Sequence, residues 1–163
     1  MRRPLNILLL LFGALLAGCG ANSYMVKEVP YAAPSPPGPN QTLVYVFRED
    51  SFQGGGRKFA IVDNDTVMAV LTPGTFSYFV VPSGEHEIVA LMTPTPIMHY
   101  RVTAAPGKTV YLFCKMGYAS GTFIEPIDES QAKSLLGQYR YTEIGVKGEK
   151  VKDFRAYYDK LYR

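Results

Sequence analysis

The side chains best suited to specific chemistry are few and far apart: Cys19 and Cys114, His86 and His99, and several Gly- and Asx-rich turns. His86 stands between Glu85 and Glu87 at the start of a strand-like run. A metal or acid–base role would need His99 and an acid brought beside it, and zinc sites draw on closely spaced His and Cys ligands that this chain lacks. The simpler expectation is a histidine that hydrogen-bonds the preceding turn. Cys114 alternates with Val110, Leu112 and Met116. That period of two places the thiol on an apolar strand face, where a free cysteine acts as a small apolar side chain and not as a nucleophile. Gly107-Lys108-Thr109 mimics the end of a phosphate-binding loop, but the position that needs the earlier glycine is Val102, and a strand follows where a helix is required. Gly54-Gly55-Gly56-Arg57-Lys58 has the donors to cradle an anion, yet such a run more often connects strands. Asp63-Asn64-Asp65 lacks the downstream positions of a calcium loop and is expected to be a hairpin turn. No serine elbow and no paired catalytic carboxylates stand out, so the expectation is a non-enzyme with no metal and no cofactor.

The N-terminus has its own logic. Arg2 and Arg3 precede an unbroken apolar or small run from Ile7 to Ala17, then Gly18 and Cys19, then polar residues. This is the order of a secretory signal peptide. The run is too short to span a bilayer, which takes about 20 residues. Leu16-Ala17-Gly18-Cys19 resembles the lipobox of bacterial lipoproteins. The resemblance implies a diacylglyceryl thioether on Cys19, recognition of Leu16, Ala17 and Gly18, and removal of residues 1–18. Residue 20 is Gly and not Asp. In a Gram-negative host the resemblance then implies the outer membrane, facing the periplasm.

Removing 1–18 takes away two arginines and no acids, leaving 15 basic (17 − 2) against 14 acidic residues. A balance this even is no nucleic-acid footprint. With Cys19 acylated, Cys114 has no disulfide partner, and the fold must rest on its core. Residues 19–40 hold the lipidated cysteine and a tether with prolines at 30, 34, 36, 37 and 39. Such a segment is expected to be extended, able to hold the domain up to roughly 60 Å from the membrane.

From residue 41 to residue 140 the texture is that of a β domain. Leu43–Phe47 is apolar on both faces, as in a central strand. Six further runs follow: 57–62, 66–71, 75–81, 85–91, 97–103 and 109–116. The turns between them include Asp63-Asn64-Asp65, Pro73-Gly74, Pro82-Ser83-Gly84 and Ala105-Pro106-Gly107-Lys108. Short strands at this spacing predict an all-β fold, a small antiparallel β-sandwich of about seven strands. Pro73-Gly74 suits a type II turn; Gly74, Gly84 and Gly107 are expected to be backbone requirements and not ligand sites. Pro82-Ser83-Gly84 is expected to close a hairpin fixed by His86. One or two C-terminal helices are predicted. The first is capped by Asp128 with Gln131 three residues on, has the apolar face Ala132, Leu135 and Leu136, and stops at Gly137. The second lies in 141–163, over 149–162, with Val151, Phe154, Tyr158 and Leu161 on one stripe. That stripe either docks on the sandwich or meets a partner or membrane surface.

The segment Leu43–Leu136 resembles the bacterial domain-of-unknown-function family 2846. The carrying residues are Val44-Tyr45-Val46-Phe47-Arg48, Leu71-Thr72-Pro73-Gly74-Thr75-Phe76, Val81-Pro82-Ser83-Gly84-Glu85-His86 and Pro106-Gly107-Lys108-Thr109-Val110-Tyr111. The Pro-Gly turn and the Gly-x-His step are also similar to surface-layer sandwich modules with a PEGA motif. Ser83 stands where that pattern has a proline. The resemblance implies an architecture and an envelope address but no activity. The expected function is a non-enzymatic envelope lipoprotein, anchored to the membrane by lipid, with an interaction or structural module for another envelope protein or a cell-wall glycan. The alternative is a small lipid or glycan ligand in a pocket between the sheets. Clustered exposed Tyr and Phe on one face would favour the first, and an apolar cavity the second.

Overall fold

The computed structural model describes residues 25–52, 57–64, 66–91, 99–117 and 121–146. The expected leader, the lipobox-like run Leu16-Ala17-Gly18-Cys19, the triglycine run and the second helix expected over 149–162 lie outside them. The described residues form ten strands in two sheets and one short helix. The strands are β1 (Met25–Glu28), β2 (Gln41–Arg48), β3 (Phe59–Asp63), β4 (Thr66–Leu71), β5 (Thr75–Pro82), β6 (Gly84–Leu91), β7 (His99–Ala104), β8 (Thr109–Gly117), β9 (Gly121–Pro126) and β10 (Arg140–Val146). The helix α1 (Glu129–Leu136) precedes β10. One sheet has the order β1-β10-β5-β2-β8-β9, the other β4-β3-β6-β7.

The seven expected strands all form, but the count of seven is corrected to ten, and the sheets are not purely antiparallel. β2 runs parallel to β8, and β10 parallel to β5. The reason lies in the turns. Thr72-Pro73-Gly74 leads from β4 in the small sheet to β5 in the large one. Ser83 leads back from β5 to β6, and Ala105–Lys108 returns from β7 to β8. These turns are corners between sheets, so the hairpin expected at Pro82-Ser83-Gly84 is corrected. A strand that arrives from the opposite sheet lands beside a strand that is not its sequence neighbour, and its direction is then free to match. Gly74 (φ +66°), Gly84 (φ +143°) and Gly107 (φ +69°) sit at these corners. The Asx turn does close a hairpin, β3–β4, with Asn64 at φ +52°.

The boundaries at 41 and 140 are also corrected. β1 comes from the expected tether and pairs with β10, which lies almost wholly beyond residue 140. The Pro-rich stretch between β1 and β2 is not a free spacer either. Val29 N donates to the Tyr141 carbonyl at 3.2 Å, and Tyr31 packs edge-on against Phe76, centroids 5.1 Å apart. Prolines lack amide donors and so do not extend the sheet, but they let the chain cross it as an extended strap.

Side-chain alternation builds the layers. Val44 and Val46 of β2 point between the sheets with Phe59, Ile61, Leu71, Ile88, Ala90, Leu112 and Cys114. Leu43, Tyr45 and Phe47 point outward, where α1 and the strap cover them together with Phe76, Ala132 and Tyr141. α1 forms as expected: Asp128 Oδ1 accepts from Gln131 N at 2.8 Å, and Gln131 Oε1 accepts from Asp128 N at 3.2 Å. Gly137 ends it at φ −78°, so the stop does not use glycine's left-handed freedom. Buried threonines tie the sheets where backbone pairing cannot. Thr122 Oγ1 donates to the Ala90 carbonyl at 2.7 Å, and Thr142 Oγ1 lies 3.4 Å from the Val70 carbonyl and 3.3 Å from that of Phe76.

Candidate functional site

Two places bring functional side chains together. The first is the corner between β5 and β6. His86 Nδ1 lies 3.0 and 2.9 Å from the Asp63 carboxylate oxygens, and Nε2 lies 2.9 Å from the Pro82 carbonyl oxygen. Both ring nitrogens face acceptors, a carboxylate on one side and a backbone carbonyl on the other. Asp63 belongs to the small sheet and Pro82 to the large one, so the ring bridges the two. His86 thus hydrogen-bonds the turn as expected, with Asp63 as a partner that sequence reasoning missed. Serine, histidine and aspartate meet at this corner, but the geometry is not that of an acyl-transfer triad. The nitrogen that would take a proton from a nucleophile is aimed at a backbone carbonyl, and the buried Ser83 Oγ makes no hydrogen bond. His99 pairs with Val89 and His86 with Val102, so the register sets the histidine backbones three ladder steps apart. Among the described residues, no three His, Cys, Asp or Glu side chains gather as metal ligands.

The corner glycines behave as backbone. A Cβ at Gly84 would meet nothing within 4 Å, so only the φ of +143° opposes a larger residue. Gly84→Val is therefore expected to lower stability by about 1–3 kcal/mol through strain alone. A urea midpoint equal to that of the native chain would refute this. At Gly74 space is also short: a Cβ would come 3.1 Å from the Asp50 carboxyl carbon. The loop at Gly107-Lys108 spends its amides internally, Gly107 N on the Gln41 carbonyl at 2.8 Å and Lys108 N on the Ala105 carbonyl at 3.2 Å. They are not turned toward a phosphate.

Cys114 is fully buried in the core between the sheets, and burial pushes its thiol up to about 12. It packs, as its alternation predicts. Beside it, Arg48 is 3 % exposed. Its Nη1 donates to the carbonyls of Arg57 and Leu71, the latter at 2.9 Å, and its guanidinium carbon lies 4.0 Å from the centre of the Phe59 ring. Burial lowers its pKa to about 10, so it stays charged at neutral pH.

The second place is a groove of about 400 Å³ on the outer face of the large sheet, between α1 and strands β8 and β9. Its apolar lining is Phe113, Ile127 and Leu135; its polar lining is Glu125, Gln131 and Ser134. Glu125 is held by Lys115 at 2.7 Å. Among the described residues, the core cluster packs between the sheets, the position expected for a pocket, and this groove lies outside it.

Next to the groove the same face carries an aromatic cluster. Tyr45 stacks on Tyr111 at 5.5 Å, Tyr78 on Tyr141 at 5.3 Å, and the Tyr31 and Tyr45 hydroxyls are 2.8 Å apart. Burial, then the Tyr31 hydrogen bond, push the Tyr45 phenol well above its ordinary range; burial and the Tyr78 hydrogen bond do the same for Tyr141. These hydroxyls remain neutral donors at any physiological pH. The sequence shows the tyrosines, but only the register of β2, β5, β8 and β10 shows that they share a face.

No protein-family model, curated protein or solved structure matches the chain.

Proposed function

We propose that the chain is a lipid-anchored protein of a bacterial cell envelope, and that its two sheets form a β-sandwich serving as a non-catalytic interaction module. The lipobox-like run ending at Cys19 supports the address. The observation that carries the activity is the groove beside α1. An apolar floor framed by Glu125, Gln131 and Ser134 is a surface that docks a partner and fixes its orientation with a few polar contacts. Envelope proteins and cell-wall glycan are the partners of choice, reached from the outer membrane on the periplasmic side. Five residues lie between Cys19 and the start of β1 at Met25, six Cα–Cα steps in all. Even fully extended, they reach only about 20 Å. The module would then sit close to the membrane and not at the end of a long tether.

The groove's volume also favours a second reading, a small glycan or lipid ligand, since about 400 Å³ lies within the range of small-molecule sites. A photo-crosslinking amino acid placed at Gln131 or at Ser134, activated in living cells, separates the two. A reproducible crosslink to an envelope protein is expected. Labelled lipid or glycan without protein would shift the assignment to the ligand reading. Yields no higher than from the same probe at Thr103, on the small sheet, would overturn both.

A further inference from the structure

The outer face of the small sheet does not look like an outer face. Strands alternate, so while Ile61, Ala69, Ile88 and Ala90 point into the core between the sheets, their neighbours point away from it. A face turned away from a two-sheet core is normally polar. Here Ala60, Val62, Val67, Val70, Val89 and Leu91 form a second apolar cluster, and each is 9 % exposed or less. Among the described residues, Val26 of β1 packs against it. One valine at the margin does not shield a surface three strands wide. At the other end, Glu85, Arg101 and Thr103 are exposed, as expected where a sheet meets water.

We propose that the C-terminal segment 147–163 folds back across this face and seats the stripe Val151, Phe154, Tyr158 and Leu161 on it. The route is short. β10 ends at Val146 and lies against β4, the edge strand of the small sheet, where Thr142 Oγ1 reaches the Val70 carbonyl. The length fits. Seventeen residues follow Val146 (163 − 146), about 25 Å as a helix. Strands β4, β3 and β6 lie about 4.8 Å apart and run about 20 Å, so one helix covers them. The segment's chemistry fits as well. Its apolar residues recur at i, i+3, i+7 and i+10, and six basic and three acidic residues occupy other positions, where water can reach them. The leader enters at the same end, because Met25 pairs with Val146. In the processed chain proposed above it is gone, and the C-terminal segment is what remains.

The test uses the full chain as bacterial cells process it, with cysteine pairs closed by mild oxidation and mapped by peptide mass spectrometry. Phe154→Cys with Val70→Cys is expected to form a link within one chain. Phe154→Cys with Tyr78→Cys, on the opposite outer face, is expected to form none. The native Cys114 stays silent because it is fully buried. Links only between chains would assign the face to a second copy and overturn the proposal. So would equal linking of both pairs, or linking of neither. Phe154→Asp alone guards against a misfolded double variant. It is expected to lower the urea midpoint and to raise the reactivity of a Val70→Cys thiol; no change in either would also overturn the proposal.

Discussion

Asp63→Ala is expected to lower the free energy of unfolding by about 3 kcal/mol, because it leaves the His86 ring buried without its carboxylate. Asp63 and His86 are on neighbouring strands of the small sheet, both nearly buried, with Nδ1 2.9 Å from Oδ2. His86 Nε2 is committed to Pro82, at the end of a strand in the other sheet. Removing Asp63 therefore disturbs more than one contact. The ring keeps its carbonyl partner on one side and faces an uncompensated apolar gap on the other. His86→Ala is expected to cost nearly as much, since the nearly buried Asp63 carboxylate would then lose the ring and keep the long contact from the Asn64 amide at 3.3 Å. The informative quantity is the coupling. The double variant should be more stable than the summed single losses imply, by about 1–3 kcal/mol. Urea denaturation of the four proteins of this cycle at pH 7 measures it. Additive losses would show that the pair does not act as a unit, and that the corner between β5 and β6 is held by its backbone alone.

Much of the fold is legible in the residues, and the rest is hidden for reasons that are physical. Leu43–Phe47 reads as a central strand because both faces are apolar, and β2 is indeed covered on both sides. The Asp128–Gln131 box announces α1 because a capping box is a local device. β1 gives no comparable signal. Met25-Val26-Lys27-Glu28 is short, half charged and succeeded by prolines, and it is a strand because β10 offers it a ladder and Tyr31 anchors the strap beyond it. β9 and β10 are likewise strands by pairing more than by composition. The corners are hidden for a different reason. A glycine at positive φ reverses the chain equally well in a hairpin and in a passage between sheets, and which one results is decided by where the next strand finds partners. Ser83-Gly84 illustrates this, as does the parallel landing of β8 beside β2. The groove is invisible for the same cause. Phe113, Ile127 and Leu135 come from a strand, a connection and a helix, and only packing assembles them. The Asp63–His86 pair has a faint signal, an Asx turn and a histidine after a glycine, but nothing in one chain's sequence says that they meet.

The second large effect is expected at Cys19. Two or three acyl chains contribute about 0.8 kcal/mol for each buried methylene, enough for stable anchoring where a single chain binds only marginally and reversibly. In the proposed reading, retention rests on the thioether. Cys19→Ser removes the only atom that carries it. The variant is expected to leave the membrane fraction for the soluble fraction, or to remain unprocessed with its leader attached. Its fold should be unchanged, because the described sheets begin at Met25.

The most direct measurement is the intact mass of the native chain extracted from bacterial membranes, with fragmentation to locate the modification. The account expects a chain that begins at Cys19 and carries a diacylglyceryl group on its sulfur. A chain that retains Met1, or one whose Cys19 thiol is unmodified, would contradict it.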